Sequence, residues 1–142
     1  MGFSVSGSAA IVFIGMFIAF GTMYTATSNG FERLADARGD VADETLERQN
    51  TALSLTTATY NSTSEILTLE VNNSGTTSLS VNGTDVLVDN AYQTSFVVRE
   101  VDGDATTDLW LPGETLHIEL SVSDPSRVTV VSGPGVAVSE VV

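Results

Sequence analysis

The side chains best spaced for chemistry lie in the stretch VDGDATTD, where Asp102, Asp104 and Asp108 follow Glu100 on one turn-rich segment. Clustered carboxylate oxygens of this kind suit calcium, a hard cation that prefers oxygen ligands. The spacing lacks the glycine and terminal glutamate of an EF-hand loop, and a solvated hairpin loop accounts for the same three acids. His117 is the only histidine and has no partner for a catalytic triad. It is either a pH-responsive contact or an exposed structural residue, and no G-x-S-x-G nucleophile motif accompanies it. Trp110, in DLWLPGE ahead of a Pro112-Gly113 turn, also has two readings. If Leu109 and Leu111 point into a core, Trp110 faces outward and can anchor a partner, as tryptophans at binding hot spots do. Otherwise it is itself a core residue. Tyr92 and Phe96 raise the same question. The chain has no cysteine, which excludes disulfides, zinc-thiolate sites and cysteine nucleophiles. With no phosphate-cradling loop and no distinct pair among eighteen scattered carboxylates, the pattern points to a non-enzymatic protein with no cofactor.

Charge narrows the partners. Five arginines stand against those eighteen acids, lysine is absent, and the net charge is −13 over 142 residues. A nucleic-acid partner needs a basic footprint that this chain lacks. Such self-repulsion becomes short-ranged in concentrated salt, where the Debye length falls to about 3 Å at 1 M. An acidic, lysine-free composition therefore points to a halophilic protein, kept soluble by its charge.

The elements that must position these residues fall into three parts: 1–28, 29–50 and 51–142. The opening stretch MGFSVSGSAAIVFIGMFIAFGTMYTATSNG carries no charged residue. Its apolar centre, with Ile11, Val12, Phe13, Ile14, Phe17, Ile18 and Phe20, is long enough for a transmembrane helix, which needs about 20 residues. It has no basic n-region and no A-x-A site, so it reads as a retained anchor rather than a signal peptide. The M-G-x-x-x-[ST] start matches a myristoylation motif, but a spanning helix already anchors the chain. Residues 29–50 are rich in helix formers, with Phe31, Leu34, Val41 and Leu46 at roughly helical spacing and Glu44 and Arg48 at i,i+4. They read as a helical stalk that continues the membrane helix, with Ser28–Gly30 the place where a joint could fall. From Thr51 onward, eight short runs rich in Val, Thr, Leu and Ile alternate with turn signals, which indicates an immunoglobulin-like β-sandwich. In two of these runs, Leu67/Leu69/Val71 and Leu116/Ile118/Leu120 form the apolar phase. Three N-x-S/T sequons, at Asn61, Asn72 and Asn82, fall at predicted turns and favour a domain outside the cell as glycosylation candidates. A bare count of Arg33 and Arg38 after the span points the other way.

Taken together, the uncharged helix, the stalk ERLADARGDVADETLERQNTAL and the opening of the sandwich, LEVNNSGTTSLSVNGTDVLVDN, resemble the archaeal flagellar (archaellum) accessory protein FlaF/ArlF family of haloarchaea, itself archaellin-like. The resemblance covers the whole chain. It implies a single-pass protein of the archaeal cytoplasmic membrane, with its archaellin-like β-sandwich in the space beneath the S-layer. It further implies a stator role, binding of the S-layer glycoprotein, and a FlaG/ArlG-like partner, with homo- or hetero-oligomers open. The alternative is an archaellin- or pilin-like subunit of an extracellular filament. A third reading is a membrane-tethered calcium- or glycan-binding module.

Overall fold

The computed structural model describes residues 2–142, with side chains from Gly7 onward. A single helix, α1, runs from Gly2 to Asn50. It passes through Ser28–Gly30 without interruption, so the stalk continues the apolar helix as expected and no joint falls there. A lone glycine inside a helix costs only about 1 kcal/mol, too little to break a long run of good helix formers around it. The chain divides into two compact units after Asp43, so the last two turns of α1, Glu44–Asn50, belong to the unit that holds the sandwich.

In the first unit the large apolar side chains from Ile11 onward are exposed. Ile11, Phe13, Phe17, Ile18 and Phe20 are all more than half exposed. The threonines among them are satisfied within the helix: Thr22 Oγ1 donates to Ala19 O at 3.0 Å, and Thr25 Oγ1 to Gly21 O at 3.0 Å. Such back-bonding hides the hydroxyls from an apolar surrounding.

The second unit is a sandwich of antiparallel strands, as expected. β1 (Leu53–Asn61), β2 (Ile66–Asn73), β8 (Thr115–Ser121) and β6 (Val98–Val101) form one four-stranded sheet in the order β1-β2-β8-β6. The second sheet is β10-β9-β4-β5, from Ala137–Val141, Arg127–Val131, Asp85–Val88 and Ala91–Tyr92. A two-stranded ribbon pairs β3 (Leu79–Ser80) with β7 (Leu109–Trp110). Period-2 alternation decides the faces. Leu67, Leu69 and Val71 on β2 and Leu116, Ile118 and Leu120 on β8 are fully buried, facing Val86, Val88, Val128 and Val130 of the other sheet. Each such side chain contributes about 1.5–3 kcal/mol relative to exposure. β1 changes phase midway, with Leu53 and Leu55 turned inward at first and then Ala58 and Tyr60. A β-bulge makes this possible, because the register skips Thr56 between Leu55↔Val71 and Thr57↔Glu70.

The helix joins the sandwich without a free linker. Thr51 Oγ1 donates to Glu47 O at 2.8 Å, and Thr76 N to Asn50 O at 2.8 Å. Thr77 Oγ1 reaches Glu47 O at 3.4 Å, and Arg48 Nε reaches Pro134 O at 3.0 Å. Ala52 O accepts from both Ser74 N and Gly75 N, at 3.0 and 3.1 Å. Thus the otherwise unpaired carbonyls of the last helical turn are capped by the β2–β3 loop. Gly75 allows this approach, because a Cβ there would lie 2.5 Å from both Ala52 N and Asn50 O. Gly75→Ala should therefore force these backbones apart and lower stability by about 1–3 kcal/mol, read from denaturant melts. A change below 0.5 kcal/mol would show that the loop yields freely.

Candidate functional site

The three aspartates do not converge. Asp102 sits at φ 47° with Oδ1 accepting from Thr115 N at 3.2 Å. Asp104 Oδ1 accepts from Thr106 N at 2.8 Å and Thr106 Oγ1 at 2.7 Å, which hold its carboxyl below the usual aspartate range. Asp108 Oδ1 accepts from Asn82 N at 2.7 Å, and Ser80 Oγ donates to the same carboxylate at 3.0 Å. These bonds also lower its pKa. Each carboxylate thus serves its own turn. Among the described residues, no group of three or more His, Cys, Asp or Glu side chains is arranged to hold a metal ion.

His117 lies on the solvent face of the first sheet. In register it stands between Glu70 on β2 and Glu100 on β6. Its Nε2 is 3.6 Å from Glu119 Oε1, and both side chains are about one-third exposed or less.

The structure inverts the outward reading of Trp110. Its ring is fully buried, with Nε1 donating to Glu114 O at 2.9 Å, while Leu109 and Leu111 are exposed. The reason is register. β7 is only two residues long, and its pairing of Trp110 with the buried Leu79 of β3 settles which side faces inward. Trp110 is therefore a core residue and offers no surface to a partner.

Arg99, which the sequence marks only as one of five arginines, is a structural residue. On β6 it shares the inward phase of Val101 and lies opposite Ile118. Its Nη2 donates to Val81 O and, at 2.7 Å, to Thr84 O, and its guanidinium stacks on Phe96 with 4.8 Å to the ring centroid. Its Nε is buried without a partner, and burial pushes the guanidinium pKa down. Arg99 and Asp108 hold the 80–84 loop from two sides, the arginine on its carbonyls and the aspartate on Ser80 and Asn82. An arginine in the apolar phase of a short strand was the available signal.

A groove of about 470 Å³ lies where the last helical turns meet the sandwich, lined by Glu44, Glu47, Arg48, Ser78, Ser80 and Pro134. It holds no cluster of groups suited to bond chemistry. The anchor candidates Ile11, Val12, Phe13, Ile14, Phe17, Ile18 and Phe20 lie exposed on a helix long and apolar enough to cross a membrane.

The sequence pattern of archaeal-type flagellins matches residues 2–139. The chain belongs to the archaeal-type flagellin family. Among solved structures it is similar to the archaellum periplasmic stator protein FlaG from Sulfolobus acidocaldarius, with 22% identity over 65% of this chain and 99% of that one, at a TM-score of 0.47. It is also similar to a chain of the periplasmic stator complex of FlaF and FlaG from the same organism, with 21% identity over 63% and 87%, at a TM-score of 0.43. No curated protein matches the chain.

Two outcomes test this geometry. Because the turn bonds depress the pKa of Asp108, its contribution is present above the unfolded aspartate value and is lost as pH falls through the lower folded value. Asp108→Asn should therefore flatten the acid arm of a stability–pH profile while leaving the neutral region nearly flat. Trp110→Ala should cost about 3–5 kcal/mol, read from urea melts followed by circular dichroism, because it opens a cavity. A loss under 1 kcal/mol would contradict its placement in the core.

Proposed function

We propose that this chain is a non-enzymatic accessory protein of the archaellum, of the FlaF type. In this reading the apolar first part of α1 is a single-pass anchor in the cytoplasmic membrane. The sandwich stands outside the cell and binds the surface-layer protein, acting as a stator with a FlaG-like partner. Family membership supports an archaellum role. The single observation that carries the mechanical reading is the junction at Asn50–Ala52. Its backbone bonds to the β2–β3 loop leave no slack between the last two helical turns, Glu44–Asn50, and the sandwich, so force applied to those turns reaches the strands. A motor transmits torque to a filament only if part of it is held to the envelope, and a rigid junction suits that task better than a flexible linker. The acidic surface keeps the domain soluble in concentrated salt.

The family match also favours a second reading, a subunit of the filament itself, in which the apolar helix packs into a bundle core. One fractionation experiment separates the two. After filaments are sheared from cells, the full chain should stay with the membranes and crosslink to the surface-layer protein in molar salt. Recovery as a stoichiometric component of the sheared filaments, with no such crosslink, would establish the filament reading instead.

A further inference from the structure

The three sequons look alike in sequence but not in the fold. Asn72 is only partly exposed, and its Nδ2 is committed, donating to Gly113 O at 3.0 Å and Glu114 O at 3.3 Å. A sugar on that nitrogen would have to occupy the space of the β7–β8 turn. Asn82 is exposed, but the hydroxyl of its sequon is not available. Thr84 is 2% exposed, its Oγ1 donates to Ser80 O at 2.8 Å, and Arg99 and Asp108 clamp the loop around it.

Asn61 differs on every count. It ends β1 at the tip of the β1–β2 hairpin, and Asn61, Ser62 and Thr63 are all exposed. Its Oδ1 accepts from Thr63 N at 3.0 Å and Ser64 N at 3.3 Å, so the carbonyl half of the amide is fixed. Nδ2 has no acceptor among the described residues. The nine residues of β1 carry this tip roughly 25–30 Å from the end of the helix, to the opposite pole of the sandwich.

We infer that Asn61 is the N-glycosylation site of this protein, and that Asn72 and Asn82 stay unmodified. The inference rests on the outside placement of the sandwich in the proposed function. The donor is a lipid-linked phosphosugar presented by a transferase on the same side of the membrane. The Nδ2–C1 bond forms as the bond from the anomeric carbon to phosphate oxygen breaks. The phosphorylated lipid departs, and one amide proton is released to base. The Asx turn keeps its two backbone bonds throughout, because only Nδ2 is consumed.

The test uses the full chain isolated from its own cells. Cleavage after glutamate separates residues 48–65, which hold Asn61, from residues 71–100, which hold Asn72 and Asn82. The 48–65 peptide should carry an added oligosaccharide mass. Asn61→Gln and Thr63→Ala should each remove it, the second leaving the Asn61 turn intact, while Asn82→Gln should change nothing. A bare 48–65 peptide, or sugar on 71–100, overturns the inference. Since the chain has no cysteine, Ser123→Cys supplies a unique label for a membrane-impermeant maleimide on intact cells. Labelled protein with bare Asn61 refutes the glycan alone. Unlabelled protein refutes the outside placement, and the glycan with it.

Discussion

A few backbone hydrogen bonds bind the end of α1 and the residues just after it to the β2–β3 loop. A helix ends with carbonyls that its own turns cannot satisfy. Here Thr76 N takes Asn50 O, and Thr51 Oγ1 takes Glu47 O, while Ser74 N and Gly75 N cap Ala52 O just beyond. Because the loop that supplies these donors also ends β2, the helix is tied directly to a central strand of the first sheet. Asn73 reinforces the joint from inside. Fully buried, it donates from Nδ2 to Thr77 O and Trp110 O and accepts at Oδ1 from Gly75 N. One side chain thereby connects the helix-capping loop, the β3–β7 ribbon and the core tryptophan.

The two ends of the sandwich have different chemistry as a result. At the helix-bearing end, Gly113, Gly135 and the Asp102–Gly103 pair take the left-handed conformations, and Gly75 admits a close backbone approach. At the far end, Glu65, Asp89, Asn90 and Asp124 adopt positive φ instead. Asp and Asn tolerate that region better than other side-chain residues do, and Asp89 offsets its cost by accepting from Ser126 N and Arg127 N. The far pole is therefore held by its own turns, whereas the near pole also receives the end of the helix.

Legibility in the sequence followed the length of each pattern. The alternation of β2 and β8 spans seven residues or more, enough for period 2 to assign every face, and the buried set came out as read. The charge-free opening was equally plain. No joint falls at Ser28–Gly30 because helix continuity depends on the whole run and not on one glycine. Trp110 stayed open between two readings, and Arg99 had none, for a shared reason. Each sits on a strand of two or four residues, where local alternation is too short to fix a phase. The three aspartates shared a loop in sequence, but backbone N–H groups turned each toward a different local task.

The sequence by itself determined the class of the protein: an apolar helix, a charged continuation and an acidic β-domain, since hydrophobic run length and periodicity act locally. Only the tertiary structure decided that Trp110 is buried, that Arg99 turns toward the core, how the helix end is capped and how differently the three sequons are bonded. Those outcomes depend on pairing between residues distant in the chain. Register across Leu79↔Trp110 and Arg99↔Ile118, and the approach of Gly75 to Asn50, exist only once the sheets have assembled.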